Sequence, residues 1–195
     1  MRRRVNHILL CSVIVFGLLV SCKENTVPKS RGYLRIDLPK STTYSKYDAS
    51  IPFAFETSEY SSVYQSKKNE NKSWFNVDYS TWKGRIYLSY FQLNDTSLNA
   101  LIEDSRRFAY KHTIKASSIE ESMFSFQSKQ VYGILYDIGG DVASSVQFYA
   151  TDSTNHFLMG SLYFNCEPNR DSLNPVISYI RQDVLHLIET LEWKN

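Results

Sequence analysis

The sequence predicts an α+β fold: a single domain in which an antiparallel β-sheet packs against two main α-helices. The length of 195 residues suits one ordinary domain, and the low counts of Gly 7 and Pro 5 exclude collagen-like and low-complexity chains. The predicted strands fall into two blocks, and one predicted helix follows each block. The 14 tyrosines, 11 phenylalanines and 3 tryptophans supply enough apolar area to build a core without disulfide bonds.

Residues 1–21 are typical of a lipoprotein signal peptide. Residues 2–4 are arginines, and the uncharged stretch from Ile8 to Ser21 spans 14 residues. That is shorter than the roughly 20 residues that a membrane-spanning helix needs. The stretch ends in Leu19-Val20-Ser21-Cys22, which resembles the bacterial lipobox. We therefore expect cleavage before Cys22 and its acylation by fatty acids such as palmitate; a plain secretory signal is the alternative.

Removal of the signal peptide changes the charge and cysteine content of the chain. The remaining 174 residues carry 19 Lys and Arg against 20 Asp and Glu, a formal net charge of −1. Nucleic-acid binding is not expected, since it depends on neutralising phosphates with an excess of cations. Cys11 leaves with the signal and Cys22 is acylated, so Cys166 remains as the lone thiol and forms no intramolecular disulfide. We expect Cys166 to be a small buried hydrophobic residue.

The mature chain begins with the lipidated cysteine and a polar tether, residues 22–31, and continues as one α+β domain, residues 32–195. Alternating or aromatic and β-branched segments predict the first block of strands. The mostly polar stretch from 57 to 73 predicts an exposed loop or hairpin tip centred on residues 67–72. The strands of this block are predicted at Gly32–Leu38, Ile51–Glu56, Trp74–Tyr79 and Arg85–Leu93.

The second half predicts a helix, a meander of strands and a longer helix. Thr96 and Ser97 supply N-cap hydroxyls for a helix over about 97–112. Apolar residues recur every three or four positions from Leu173 to Leu191, which predicts a terminal helix capped by Ser172 with Pro175 in its first turn. The element order resembles a PsbP/Mog1-like arrangement, by architectural analogy alone. The meander strands are predicted at Ile119–Phe126, Lys129–Ile138, Val142–Thr151 and His156–Asn165, joined by tight turns at 139–141 and 152–155.

The common catalytic and cofactor motifs are absent from the sequence. His112, His156 and His186 lie far apart in the chain, and a metal site would require them to converge. His186 and Glu189 are spaced to ligate a metal from one helix, but we favour a solvated helix face. We therefore predict no metal, no cofactor and no catalytic residues.

The densest charged segment, residues 103–115, is the candidate partner-binding surface. Its members are Glu103, Arg106, Arg107, Lys111 and Lys115. A cation ladder beside acidic residues can steer and orient a partner. The alternative is a solvated helix stabilised by a Glu103–Arg107 pair at i, i+4. Strand aromatics that could stack on sugar rings, but are expected to be packed in the core, are Tyr132, Tyr136, Tyr149, Tyr163 and Phe164.

Several segments of the mature chain together carry a family resemblance. They are Gly32-Tyr33-Leu34-Arg35-Ile36-Asp37-Leu38-Pro39, Glu103-Asp104-Ser105-Arg106, residues 109–116, Val131-Tyr132-Gly133, residues 143–148, Thr151-Asp152-Ser153, residues 162–165 and Pro168-Asn169. With these segments the chain resembles the gliding motility lipoproteins GldD. The resemblance implies a non-enzymatic, membrane-anchored component of the gliding apparatus, which in such bacteria is coupled to type IX secretion. It implies other gliding and secretion proteins of the envelope as partners, and Cys22 as the functional residue.

Two other classes of function remain open from the sequence. One is an envelope glycan-binding or peptidoglycan-binding module that uses exposed aromatic residues. The other, less favoured, is a hydrolase that uses His112, His156 or His186 with a carboxylate. We expect the protein in the cell envelope, lipid-anchored and facing the periplasm rather than the cell surface, with inner and outer membrane both open.

Overall fold

The computed structural model describes residues 36–69, 72–93 and 97–194. The predicted signal peptide, Cys22 and the tether lie outside the described residues. Within the described ranges, no helix is both long and apolar enough to cross a membrane.

A seven-stranded antiparallel sheet, a three-stranded sheet and two α-helices form the fold, which confirms the predicted α+β class. The resemblance to a PsbP/Mog1-like arrangement stays a prediction. Short 3-10 turns lie at Ser80–Trp82, Lys111–Ile114 and Gln127–Lys129. The elements are β1 Tyr44–Tyr47, β2 Phe53–Ser58, β3 Ser62–Asn69, β4 Lys72–Tyr79, β5 Gly84–Gln92, α1 Leu98–Tyr110, β6 Ala116–Phe126, β7 Val131–Gly140, β8 Ser144–Thr151, β9 His156–Phe164, α2 Arg170–Thr190 and β10 Glu192–Trp193.

The large sheet has the strand order β3-β4-β5-β9-β8-β7-β6, so two meanders meet where β5 pairs with β9. The small sheet has the order β1-β2-β10. The late strand β10 pairs with the early strand β2, with Glu192 opposite Ala54 and Trp193 opposite Phe53. The backbone N–H of Lys194 also donates to the carbonyl of Pro52. Residues near the two limits of the described chain are therefore joined in one sheet.

The two helices cover opposite faces of the large sheet. The apolar stripe of α2 is buried, with Ile180 fully inaccessible, and it packs with Ile86 and Leu88 of β5. On α1, Leu101 and Ala109 pack with the strand residues that point to the other face of the sheet, such as Tyr149 of β8. Successive strand residues point to opposite faces. The apolar spacing that predicts the terminal helix therefore marks its buried side.

Three differences from the predicted elements concern the strands. Residues 36–38 do not form a strand, because Ile36 and Leu38 pack against the core without pairing in a ladder. The polar stretch 57–73 contains β3, which lies at the edge of the sheet, where polar residues are tolerated because one face and one edge meet water. β1 and β10 were also not predicted.

The cap of α2 also differs from the prediction. The helix begins at Arg170, and the side chain of Asn169 accepts a hydrogen bond of 3.2 Å from the backbone N–H of Ser172. Asn169 is therefore the N-cap, and Pro175 lies inside the helix. The predicted helix over 97–112 is confirmed as α1, although the side chain of its N-cap, Ser97, makes no capping hydrogen bond.

Candidate functional site

The predicted partner-binding surface lies on α1 and the 3-10 turn after it. Glu103, Arg106, Arg107, Lys111 and Lys115 are all exposed. The predicted ion pair between Glu103 and Arg107 is not formed among the described residues. Instead Nη2 of Arg107 donates to Oδ1 of Asp104 at 2.5 Å, a spacing of i, i+3.

Two exposed aromatic side chains divide this surface into two sides. On one side, the guanidinium carbon of Arg106 lies 5.4 Å from the ring centre of Tyr110, whose hydroxyl donates to Glu121 on β6. On the other side, Nζ of Lys111 lies 4.9 Å from the ring centre of Phe108. The structure therefore places Arg106 toward β6 and Lys111 toward the middle of the large sheet.

The face of the sheet that carries α1 is only half covered. The main strand contacts of α1 on this face are with β8 and β9. Phe91 at the end of β5 also packs with the α1 cluster, so the face is most open over β3, β4 and the first part of β5. In one cross-strand row, Tyr64 faces Asn76, which faces Tyr87, and in the next row Asp78 faces Arg85, which faces Tyr163. Polar and aromatic residues from four strands are thus aligned on one open surface.

An open groove runs over this surface in two basins. The first has a volume of about 750 Å³ and the second about 420 Å³. Tyr87 and Tyr163 line both basins, with ring centres 5.7 Å apart in an edge-to-face arrangement. The lining also includes Asp78, Ser80, Lys83, Arg85 and Asn165 in the first basin and Ser89, Phe108, Lys111, His112 and Ser161 in the second. We call the two basins together the sheet-face groove.

Arg85 is held firmly at the centre of the first basin. Its Nε donates to Oδ1 of Asp78 at 2.7 Å, and its guanidinium carbon lies 5.8 Å and 5.7 Å from the ring centres of Tyr64 and Tyr87. Hydrogen bonds from Ser80 and Arg85 hold the pKa of Asp78 below its usual range. The carboxylate therefore remains charged and keeps Arg85 in position.

A second cluster surrounds Asp183 on the buried side of α2. The side chain is 4% exposed, the hydroxyl of Tyr44 donates to its Oδ1 at 2.7 Å, and its Oδ2 has no hydrogen-bond partner among the described residues. Burial raises the pKa of Asp183, while the neighbouring hydroxyls of Tyr44, Tyr79 and Ser58 partly oppose that increase. The cluster joins β1 to α2 and is a structural element of the core.

The three histidines of the mature chain occupy separate places. His112 lines the second basin, and burial lowers its pKa. His156 is bonded through Nδ1 to the hydroxyl of Tyr90 at 2.8 Å and stacks on Trp193. His186 stacks on Tyr44 at 3.6 Å and bonds to Glu56 at 2.7 Å, so the expectation that it lies on a solvated helix face was wrong. In the part of the chain that the structure describes, no group of three or more His, Cys, Asp and Glu could hold a metal ion.

The predicted aromatic residues divide by the face on which they lie. Tyr136 and Tyr149 are buried, as expected for core residues, but Tyr163 is 36% exposed. Sequence reasoning missed Tyr64 and Tyr87, although the alternation of Arg85, Tyr87 and Ser89 with buried residues in β5 was a usable signal. Cys166 is exposed, so its predicted burial was wrong: it follows the end of β9 and lies outside the core.

The family comparison covers nearly the whole described domain. The family model of the gliding motility lipoprotein GldD matches residues 23–193. The chain belongs to the GldD family. No curated protein matches the chain. Membership in the GldD family implies a lipoprotein of gliding motility that is anchored to a membrane of the cell envelope. The match begins one residue after Cys22 and includes both the α1 surface and the sheet-face groove.

Proposed function

We propose that the protein is a lipid-anchored, non-enzymatic assembly or stabilising factor of the gliding apparatus, linked to type IX secretion. The observation that carries the proposal is the family match over residues 23–193, directly preceded by the lipobox that ends at Cys22. The non-enzymatic part is supported by the separate places of His112, His156 and His186, since a metal centre built on histidines needs them to converge.

The proposed anchor is an acylated Cys22, with residues 1–21 removed and residues 22–31 as the tether. Each buried methylene contributes about 0.8 kcal/mol, and one chain alone binds only marginally, so two or more chains are needed to hold the domain on a membrane. We expect Cys22→Ser to abolish incorporation of labelled palmitate and to release the protein from the membrane fraction or leave it unprocessed. Cys166→Ser is the matched control because Cys166 is exposed and free.

A membrane-bound and fully active Cys22→Ser protein would contradict the proposed anchor. The orientation is tested separately by protease treatment of intact cells. A periplasm-facing domain is protected until the outer membrane is permeabilised, whereas a domain on the cell surface is cleaved at once.

The proposed partner surface is the side of α1 that carries Glu103, Arg106 and Arg107, extended by Lys111 and Lys115. Its cations are exposed, and Arg106, Arg107 and Lys111 lie over aromatic rings, which limits the side-chain entropy that a partner would have to remove. Exposed ion pairs such as Asp104–Arg107 contribute little to stability. The surface can therefore be altered without unfolding the domain. We infer that it docks another gliding or secretion protein of the envelope.

Charge reversal tests this docking surface. The double change Arg106→Glu and Arg107→Glu should leave the melting temperature nearly unchanged, reduce cross-linking to envelope partners and impair gliding. Lys40→Glu is the control, because Lys40 is an exposed cation two residues after Leu38, which packs against the core cluster that α2 covers. If the double variant glides normally and keeps its cross-linked partners, the segment is a solvated helix face.

A further inference from the structure

The sheet-face groove has the chemistry of a saccharide site. We propose that it binds a glycan strand that carries carboxylate groups, with the sugar rings stacked on Tyr87 and Tyr163. The proposal concerns a different class of ligand from the assembly role, and its surface shares Lys111 alone with the proposed docking surface on α1.

The strands that form the floor of the groove can hold a ligand only through their side chains. β4, β5 and β9 are paired with neighbours on both sides throughout the groove, so their backbone N–H and C=O groups are already used in the ladders. A peptide that binds by adding a strand needs a free edge with unpaired backbone groups. A ligand on this floor must instead be held by stacking and by polar side chains.

Exposed aromatic residues lie in and beside the groove: Tyr87, Phe108 and Tyr163 line it, and Tyr64 contacts Arg85. Tyr64, Tyr87, Phe108 and Tyr163 are each between 36% and 45% exposed, and they are half of the eight large hydrophobic residues that are exposed in the described part of the chain. A tyrosine offers a rigid ring with a negative face at low entropic cost, and the C–H groups of a pyranose ring are suited to pack on that face. The edge-to-face contact of Tyr87 with Tyr163 keeps both rings in place.

Planar polar groups flank the rings, as recognition of vicinal hydroxyls requires. Asp78 and Asn165 offer acceptors in the first basin, and Arg85 has five N–H donors of which the bond to Asp78 uses one. Because Arg85 is fixed by Asp78 and by two rings, a ligand pays little to order it. Basins of about 750 and 420 Å³ fall within the range of roughly 300–1,000 Å³ that is usual for ligand sites.

The charge of the groove selects an acidic ligand. Its lining contains the cations Lys83, Arg85 and Lys111 and one carboxylate, Asp78, while burial lowers the pKa of His112 and favours its neutral form. The groove is therefore positive, although the mature chain as a whole has 19 cations and 20 anions. Carboxylates on the glycan would complement this local excess.

The test titrates the full lipoprotein in detergent micelles with three probes, by isothermal calorimetry at low salt. The probes are a tetrasaccharide of alternating N-acetylglucosamine and N-acetylmuramic acid, chitotetraose as the uncharged saccharide, and hexaglutamate as the acidic peptide. We expect the acidic tetrasaccharide to bind most tightly. Lys83→Gln and Lys111→Gln should remove most of its advantage over chitotetraose, up to about fivefold per cation.

Variants of the stacking ring complete the test. Tyr87→Ala should weaken binding of the tetrasaccharide about five- to tenfold, whereas Tyr87→Phe, which keeps the ring, should bind within about twofold of the unaltered protein. Tyr110→Ala is the matched control, because Tyr110 is 39% exposed but lines neither basin. Far-ultraviolet circular dichroism confirms that each variant is folded before titration.

Three results would overturn the proposal. The first is no heat of binding with either saccharide at millimolar concentration. The second is equal loss of binding in Tyr87→Ala and Tyr110→Ala, or no loss in either. The third is tighter binding of hexaglutamate than of the tetrasaccharide, which would make the groove a docking surface for acidic protein segments.

Discussion

Replacement of Ile180 by alanine tests whether the stripe of α2 is core or a docking surface. Ile180 is fully buried, and the substitution removes three carbon atoms, which corresponds to about 2.4 kcal/mol of transfer free energy at about 0.8 kcal/mol per carbon. A cavity adds to this cost when the surroundings cannot collapse. Here α2 is held at its start, where the backbone N–H of Arg170 donates to Asp141 at 2.7 Å, and in its middle, where Arg181 makes two bonds of 2.6 Å to Asp137. We therefore expect a loss of about 3 to 4 kcal/mol in the free energy of unfolding.

The assay is urea unfolding followed by circular dichroism at 222 nm, with Ser178→Ala as the control on the exposed side of the same helix. The control should change the free energy of unfolding by no more than about 0.5 kcal/mol. If Ile180→Ala left the unfolding curve unchanged and abolished gliding, the stripe would be a partner-docking surface and the packing argument would be wrong.

Gly84 provides a second, sharper check on the same contact. A Cβ added at Gly84 would lie 2.9 Å from Cδ1 of Ile180 and 3.1 Å from Phe164, so Gly84→Ala alone should cost about 1 to 3 kcal/mol through overpacking. In the Ile180→Ala background the added methyl group finds the vacated space. The double variant should therefore lose at least about 0.5 kcal/mol less than the sum of the single losses. Strict additivity would show that the two residues do not share this space.

Two further predictions concern polar groups of the core and its turns. Because burial raises the pKa of Asp183, the folded protein retains a proton that the unfolded chain has already released above its ordinary pKa of about 4. Stability should therefore fall as pH rises through that window and then level off, and Asp183→Asn should remove this component. The free energies of unfolding of the unaltered protein and of Asp183→Asn are measured from pH 4 to 8. The stability of the Asn variant relative to the unaltered protein should increase as the pH rises. Two stability curves that run parallel over this range would refute the reasoning. Asp152 accepts bonds of 2.9, 2.9 and 2.8 Å from the backbone N–H groups of residues 154, 155 and 156, so Asp152→Ala should cost about 1 to 3 kcal/mol, with a lower melting temperature as the readout. An unchanged melting temperature would mean that water replaces the carboxylate at no cost.

The sequence predicted those elements whose formation depends on the pattern of their own residues. The three- and four-residue spacing from Leu173 to Leu191 depends only on which side of one helix is apolar, and α2 buries that side. The turn at 152–155 depends on one aspartate and the backbone donors that follow it. By contrast β3 is an edge strand with a polar sequence, and its pairing with β4 depends on a partner that the strand itself does not encode.

The sheet-face groove could not be predicted because it depends on register. Arg85 meets Tyr163 across the β5–β9 ladder, although the two residues are 78 positions apart in the chain. A slip of one residue would turn Tyr87 into the core and place Leu88 on the open face. Strand alternation alone shows that Tyr87 and Ile86 lie on opposite faces, but it does not show which face α1 leaves uncovered. That information comes from the strand order of the whole sheet.

The pairing of β10 with β2 determines when the domain can finish folding. Ala54 and Glu192 are 138 positions apart, and the face of β2 and β5 that α2 covers remains bare until residues 170–190 are available. Contacts between such distant segments form late, because a long loop must close before any of them contributes. The core can therefore be completed only when α2 and β10 are both available. For the proposed exported lipoprotein, the late closure of these contacts would prolong the unfolded state, which is the state that a translocation channel accepts.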